Sequence, residues 1–129
     1  FLRSNPSDLQ ARRFLADLDV VNGRPQAAAI LYRDLLAVLG PNDASLQIAY
    51  AHALLALDRP DDALGHARTA YHVQPGNPLV VNIYGYIALE AGATEEARQI
   101  LEKAVALLPG NALAKQHLLE ARKALRDQG

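Results

Sequence analysis

Apolar residues along this chain recur at separations of three, four and seven, which is the spacing of one face of an α-helix. The pattern stops at regular intervals, because four prolines fall 35, 34 and 34 residues apart and four Asp or Asn residues keep the same step. These are Pro6, Pro41, Pro75 and Pro109, and Asp8, Asp43, Asn77 and Asn111. Proline cannot continue a helix, whereas Asp and Asn cap helix N-termini. Each junction therefore predicts that one helix ends and another begins.

A second break lies near the middle of each interval, at residues 22–25, 58–61 and 92–95. Pro25 and Pro60 suit the first turn of a helix, where the missing N–H costs nothing. Each interval of about 34 residues thus predicts a helix A, a turn and a helix B, a period typical of stacked repeat proteins. The predicted A helices lie near 9–22, 44–57 and 78–91, the B helices near 25–39, 60–74 and 94–107, and a final helix near 112–127.

Small residues recur at matching places in these helices, where two helix axes would approach closely. In the A helices they are Ala16, Ala51 and Gly85, and in the B helices Ala28, Ala63 and Ala97. One heptad later the B helices have Ala70 and Ala104, with Leu35 at the matching position of the first. Bulky residues stand beside many of them, for example Leu15, Tyr50 and Tyr84 in the A helices. Large side chains beside small ones are how packed helices interdigitate. We therefore expect these positions to form the contacts within and between the helix pairs.

At these positions the chain resembles the tetratricopeptide repeat (TPR) family. The match is closest in residues 78–111, where the small, turn, bulky and proline positions of the TPR pattern hold Gly85, Gly92, Ala97, Leu101, Ala104 and Pro109. Two earlier copies keep the pattern with departures, since Asp58 replaces the turn glycine and Leu35 replaces an alanine. The large aromatic residue common in the A helix is missing, and Arg12, Gln47 and Val81 stand there instead.

The resemblance implies an all-α fold, a right-handed superhelix (α-solenoid) of helix-turn-helix repeats. We expect a single TPR domain over residues 1–129. Its predicted parts are the tail of a preceding repeat at 1–8, repeats at 9–43, 44–77 and 78–111, and a C-terminal capping helix at 112–129. The chain begins with Phe1 and carries no methionine, which favours a fragment of a longer bacterial TPR protein. One apolar stripe and one charged face suit the last helix to a capping role.

Composition narrows the classes of function. A formal net charge of −1 and a pI near 6.5 give no electrostatic basis for binding nucleic acid or anionic lipid. No apolar run approaches the roughly 18–20 residues of a membrane span, and the absence of cysteine excludes disulfides and thiolate chemistry. His66 and His72 fall on different faces of one helix, and no phosphate-binding or nucleophile motif occurs. We therefore predict no enzymatic activity, cofactor or metal.

In TPR arrays the A helices line a concave groove, so the resemblance also implies a set of partner-binding residues. They are Arg13, Asp17, Ile48, His52, Leu55, Asn82, Tyr86, Leu89, Glu90, Gln116 and Glu120. An extended peptide or a partner helix would anchor apolar side chains in the middle of this set, with Tyr86 and Asn82 supplying hydrogen bonds. The alternative is that Leu55 and Leu89 pack against neighbouring repeats and contact no ligand.

One kind of TPR ligand is disfavoured by the residues at the matching positions. TPR domains that bind acidic chaperone tails hold the terminal carboxylate in a clamp of Lys, Asn and Arg side chains on successive A helices. The corresponding residues here are Arg13, Asp17, Ala49, Leu79 and Ile83. A single cation beside an aspartate does not make such a clamp.

The predicted function is a non-catalytic scaffold that binds a protein or peptide partner in the groove. Two alternatives stay open: a self-associating structural array, which would make the chain a homo-oligomer, and an accessory domain of a larger enzyme. A looser similarity of residues 80–125 to TPR proteins of polysaccharide export, pili or secretion favours a bacterial envelope or periplasmic setting, with the cytoplasm left open.

Overall fold

Residues 6–128, which the computed structural model describes, form seven helices and no strand. Consecutive helices pack as three antiparallel hairpins, each hairpin leans on the next, and the last helix packs on the third hairpin. The result is an all-α solenoid, the right-handed superhelix that the sequence predicts. The helices are α1 (Pro6–Val21), α2 (Pro25–Leu39), α3 (Ala44–Ala56), α4 (Pro60–Val73), α5 (Pro78–Glu90), α6 (Thr94–Leu107) and α7 (Ala112–Gln128).

The start of the chain differs from the prediction. The sequence places the first helix from residue 9, with Pro6 closing an earlier one, but α1 begins at Pro6. Proline suits this place because the N–H that it lacks would have no partner in a first turn. Asp8 consequently lies inside the first turn, where its negative charge suits the helix N-terminus. Of the predicted tail 1–8, residues 6–8 belong to α1, and residues 1–5 lie outside the described part.

The other junctions have the predicted chemistry. The side chain of Asp43 accepts a hydrogen bond from the backbone N–H of Leu46 at 3.0 Å, which caps α3. Asn77 caps α5 and Asn111 caps α7 in the same way, each over a distance of 3.0 Å. Because these side chains satisfy N–H groups that have no partner within the helix, they fix where each A-type helix begins.

The turn inside each hairpin needs one residue in the left-handed region of the backbone. Gly23 and Gly92 provide it with φ of 73° and 81°, and Asp58 adopts the same conformation with φ of 60°. A side chain in this region is strained, but Asp tolerates it better than most residues. The departure from the TPR pattern at Asp58 therefore leaves the turn unchanged.

The small residues occupy the predicted contacts between helices, and nearly all of them have no exposed surface. The closest contact is that of Gly85 in α5, where a Cβ atom would lie 2.5 Å from the Cδ2 atom of Leu101 in α6. Leu15 was expected to fill space beside Ala16, but its side chain is half exposed because no described helix covers that face of α1. In α7, the position of the small residues Ala16, Ala51 and Gly85 is occupied by Leu119, a large residue that is 64% exposed.

A polar cluster joins α4 of the second hairpin to α5 and α6 of the third. The guanidinium of Arg68 in α4 donates two hydrogen bonds to the carboxylate of Glu96 in α6, at 2.6 and 2.9 Å. The hydroxyl of Tyr84 in α5 donates to the same carboxylate. The bidentate pair holds the pKa of Glu96 below its ordinary value, and the hydroxyl adds to this effect.

Acid is expected to weaken this junction through Glu96. Since the folded-state pKa of Glu96 is lowered, the unfolded chain takes up its proton first, so the stabilisation is complete above the ordinary pKa and is lost as pH falls through the lowered value. The melting temperature of the wild type should therefore drop more steeply than that of Glu96→Gln between about pH 6 and pH 3. Asp61→Asn, which removes an exposed carboxylate outside the cluster, should follow the wild type. Parallel curves for the wild type and Glu96→Gln would contradict this role.

Candidate partner-binding groove

The helices α3, α5 and α7 lie side by side, because α5 contacts both of the others directly. Between them is a cavity of about 410 Å³ lined by His52, Asn82, Ile83, Tyr86, Leu113 and His117. A neighbouring depression of about 280 Å³ is lined by His52, Leu55, Ala56, Asp58, Pro60, Tyr86 and Glu90. His52 and Tyr86 border both spaces. We call the two spaces together the groove.

The repeat explains why these side chains meet. His52 and Tyr86 are 34 residues apart, and each comes directly after the small residue, Ala51 or Gly85, that faces the B helix of its own hairpin. A residue at that position points along a face that the hairpin partner does not cover. Successive hairpins therefore present successive residues of this register on one surface, and Glu120 is the corresponding residue in α7.

The aromatic ring of Tyr86 stacks on the imidazole of His117, with ring centroids 4.7 Å apart and an angle of 24° between the planes. Burial raises the pKa of the Tyr86 hydroxyl, and the charges of Glu90 and Glu120 raise it further. The Nδ1 atom of His117 is buried without a hydrogen-bond partner among residues 6–128. The stacked pair thus forms an aromatic floor with an unused hydrogen-bonding atom.

His117 was missing from the predicted groove residues, as were Ile83 and Leu113. The 34-residue spacing of the repeats relates these residues to one another and could have identified them. His117 follows Ile83 by 34 residues, and Leu113 follows Leu79 by the same interval. The prediction considered Ile83 and Leu79 only as places where a carboxylate clamp would need cations, and therefore overlooked them as apolar lining.

Arg13 and Asp17 lie outside the groove as the structure defines it. The guanidinium of Arg13 lies 3.3 Å from the carboxylate of Asp17 and donates a hydrogen bond to the Oγ atom of Ser45 at 2.9 Å. The hydroxyl of Tyr32 also donates to Asp17. These charges are consequently engaged with one another and with the hairpins that they connect. A role in holding a partner stays a prediction for this pair.

The prediction that Ile48 faces the groove is wrong. Its side chain is only 2% exposed and belongs to the core cluster that also contains Leu54, Val81 and Tyr84. Its counterparts in the neighbouring A helices, Arg13 and Asn82, are polar and remain partly exposed. Burial of an isoleucine side chain stabilises the folded state, which explains why Ile48 is buried although its counterparts are not.

The remaining predicted residues have intermediate roles. Leu55 lines the smaller depression and also packs against the core, whereas Leu89 is partly buried against the core and borders neither space. Glu90 lines the smaller depression. Gln116 and Glu120 are exposed on α7, where the amide of Gln116 donates a hydrogen bond to the carboxylate of Glu120 at 3.2 Å. Contact of these residues with a partner stays a prediction.

The chemistry of the groove suits binding. It offers an aromatic floor, two imidazoles, an amide and carboxylates around apolar side chains, which is a combination that orients a bound chain. Within the described residues, no three His, Asp or Glu side chains come together in a way that would hold a metal ion. None of the helices of residues 6–128 is both long enough and apolar enough to cross a bilayer.

Comparison with known proteins agrees with this architecture. The profile of the tetratricopeptide repeat family matches residues 1–44 and 49–112. No curated protein matches the sequence. Among solved structures, the first TPR of Spaghetti (RPAP3) bound to the HSP90 peptide SRMEEVD is 19% identical, with a TM-score of 0.82 over 92% of this chain and 95% of that one.

Two further structures are similar over most of the chain. The Sgt2 TPR domain from Aspergillus fumigatus is 16% identical, with a TM-score of 0.84 over 95% of this chain and 83% of that chain. MamA is 21% identical, with a TM-score of 0.81 over 96% of this chain and 73% of that chain. At such low identity these structures are evidence for the shared fold alone.

Proposed function

The chain belongs to the tetratricopeptide repeat family, and on that premise we propose that it is a non-catalytic scaffold that holds a segment of a protein partner in the groove. The observation that carries the proposal is the cavity between α3, α5 and α7. Its floor is the stacked pair Tyr86 and His117, and His52 and Asn82 stand at its edges. Open apolar cavities with a few polar groups at fixed places are the usual form of binding sites. The RPAP3 domain bound to an HSP90 peptide supports a peptide as the kind of ligand.

An acidic peptide such as SRMEEVD, which the RPAP3 domain binds, is not the ligand that we propose for this chain. Recognition of a terminal carboxylate needs several convergent cations. Arg13 is already engaged with Asp17 and Ser45, and Leu79 and Ile83 offer no charge at the later positions. The partner segment is therefore of a different kind.

The remaining parts of the proposal concern organisation and setting. We propose repeats at 9–43, 44–77 and 78–111, with residues 112–129 as a capping helix. A bacterial envelope or export assembly is the proposed setting, supported by the similarity of residues 80–125 to repeats of envelope-associated proteins of this family.

Replacing Tyr86 with alanine is expected to weaken partner binding by about tenfold or more, because a tyrosine that the partner covers at the centre of an interface is a typical hot spot. The side chain is only partly buried, so helicity and the melting temperature should change little. The measurement is fluorescence anisotropy with peptides selected on the wild-type chain from a random displayed library. Leu119→Ala, at an exposed position of α7 outside the groove, is the control. Equal affinity of the wild type and Tyr86→Ala would place the contact surface elsewhere.

A second candidate function, self-association, is supported by a separate observation on α1. Phe14, Leu15 and Leu18 correspond, 35 residues earlier, to the positions in α3 that pack against α2. On α1 the same face is exposed, with Phe14 68% and the neighbouring Val21 80% accessible. A contiguous apolar face of this kind is typical of an interaction surface. A second copy of the chain could cover it as α2 covers α3.

Self-association through this face should appear in light scattering over a range of protein concentrations. The wild type is expected to gain mass as its concentration rises, whereas Phe14→Ser/Leu18→Ser should remain monomeric because the apolar area is removed. Leu119→Ser, which changes an exposed leucine on α7, is the matched control. A wild type that is monomeric throughout the range would rule out this candidate.

A further inference from the structure

We propose that the segment held in the groove is basic and carries a large apolar side chain. The apolar side chain enters the cavity between His52, Tyr86 and His117, and lysine or arginine residues beside it meet Glu90, Asp58 and Glu120. This inference rests on the proposed function and names the class of partner that the groove selects.

The first argument is the charge around Tyr86. Asp58 and Glu90 line the smaller depression, and the charge of Glu120 reaches Tyr86 from α7. Among residues 6–128, none of these three carboxylates forms an ion pair. Lys123, one turn beyond Glu120, is exposed and also forms no ion pair there. Three acidic groups therefore outnumber one cation at this end of the groove.

The contrast with other carboxylates of the chain strengthens this argument. Glu96 is paired with Arg68, Glu95 with Arg98 and Asp17 with Arg13. Those residues are satisfied by the protein itself, so they present little net charge to a ligand. Asp58, Glu90 and Glu120 instead lie together around Tyr86 with their charges unpaired, and charge complementarity selects a cationic partner there.

The second argument is the shape and chemistry of the larger cavity. Its volume of about 410 Å³ is enough for a bulky side chain, and Ile83, Leu113 and the Tyr86 ring give it apolar walls. Aromatic and large aliphatic side chains are the usual anchors of bound segments. The apolar walls of the cavity would thus bind the apolar side chain of the partner, and the neighbouring carboxylates would bind the cations beside it.

The test begins with a random peptide library displayed against the immobilised wild-type chain. We expect the enriched sequences to combine lysine or arginine with a neighbouring phenylalanine, tyrosine or leucine. Three labelled peptides then separate the contributions: an enriched sequence, the same sequence with its cations replaced by glutamate, and the same sequence with its apolar anchor replaced by alanine. Each replacement should weaken binding by roughly tenfold or more, as expected when an interface anchor or charge match is lost.

The protein is varied in parallel. Glu90→Gln/Glu120→Gln should bind the enriched peptide roughly fivefold more weakly at low salt, and the difference should shrink at high salt because exposed charges are screened. Asp61→Asn/Glu95→Gln removes the same number of charges from the first turns of α4 and α6, outside the groove, and should bind as the wild type does. Circular dichroism confirms that each variant is folded.

The outcomes distinguish the class of partner from the function. Enriched peptides that are acidic or neutral, and whose binding still falls in Tyr86→Ala, would overturn the basic class while leaving the groove as the binding site. Enriched peptides that bind Tyr86→Ala as tightly as the wild type would overturn the proposed function as well. Equal binding by Glu90→Gln/Glu120→Gln and the wild type at low salt would also overturn the assignment of charge.

Discussion

Replacing Gly85 with leucine is expected to destabilise the third hairpin by about 3 kcal/mol, near the upper end of what overpacking costs. A Cβ atom at this position would lie 2.5 Å from the Cδ2 atom and 2.7 Å from the Cγ atom of Leu101. Leu101 has no exposed surface and cannot turn away without displacing the core around it. Urea unfolding monitored by circular dichroism measures the loss. A variant as stable as the wild type would show that α5 and α6 can separate freely.

Gly65 provides the matched control for this change. It also lies inside a helix, α4, but nothing approaches within 4 Å of the place where its Cβ would be. Gly65→Leu should therefore stabilise the chain by about 0.5–1 kcal/mol, since leucine forms helix better than glycine. The same gain in propensity is available at Gly85. If Gly65→Leu raises the free energy of unfolding and Gly85→Leu lowers it, the difference between the two changes measures the steric cost at Gly85.

Truncating Leu101 to alanine is expected to cost about 2–5 kcal/mol, the range found for large-to-small changes in well-packed cores. The side chain fills the space between α5 and α6 and contributes to the main cluster of buried residues. Leu107→Ala, at an exposed position later in α6, should cost far less because little apolar area is lost. A loss at Leu101 no larger than that at Leu107 would contradict the packing described above.

The stability effects of Gly85→Ala and Leu101→Ala should be coupled. In Leu101→Ala the two atoms that lie under 3.0 Å from the Cβ site of Gly85 are gone, so a methyl group added by Gly85→Ala meets nothing closer than the backbone N of residue 101 at 3.5 Å. The double variant is therefore expected to lose less stability than the sum of the two single losses, as is typical of residues in direct contact.

Much of the fold was predictable because the same capping, turn and small residues recur in each copy of the repeat. Asp43, Asn77 and Asn111 mark three helix starts in equivalent places, and the bounds of α2 to α7 agree with the prediction to within one residue. The start of α1 was misplaced because Pro6 has two readings, as the residue that closes a helix and as the first residue of one. Only the backbone geometry distinguishes them.

The groove was less predictable than the fold, and Ile48 and His117 show why. Register assigns residues to a face of a helix, but the depth of burial on that face depends on how neighbouring hairpins lean together. Ile48 is apolar, so it joins the core, whereas Asn82 in the same register remains partly exposed. His117 is part of the site because it stacks on Tyr86. The two residues are 31 positions apart and lie in different helix pairs, so the pattern of a single repeat does not predict their contact.

Leu119 limits how this solenoid can be lengthened by protein engineering. It stands where the earlier A helices have alanine or glycine, so a grafted helix seated on α7 as α6 is seated on α5 would collide with its isobutyl group. Appending further hairpins would first require the substitution Leu119→Ala. A single branched side chain thus prevents modular extension of the array in this geometry.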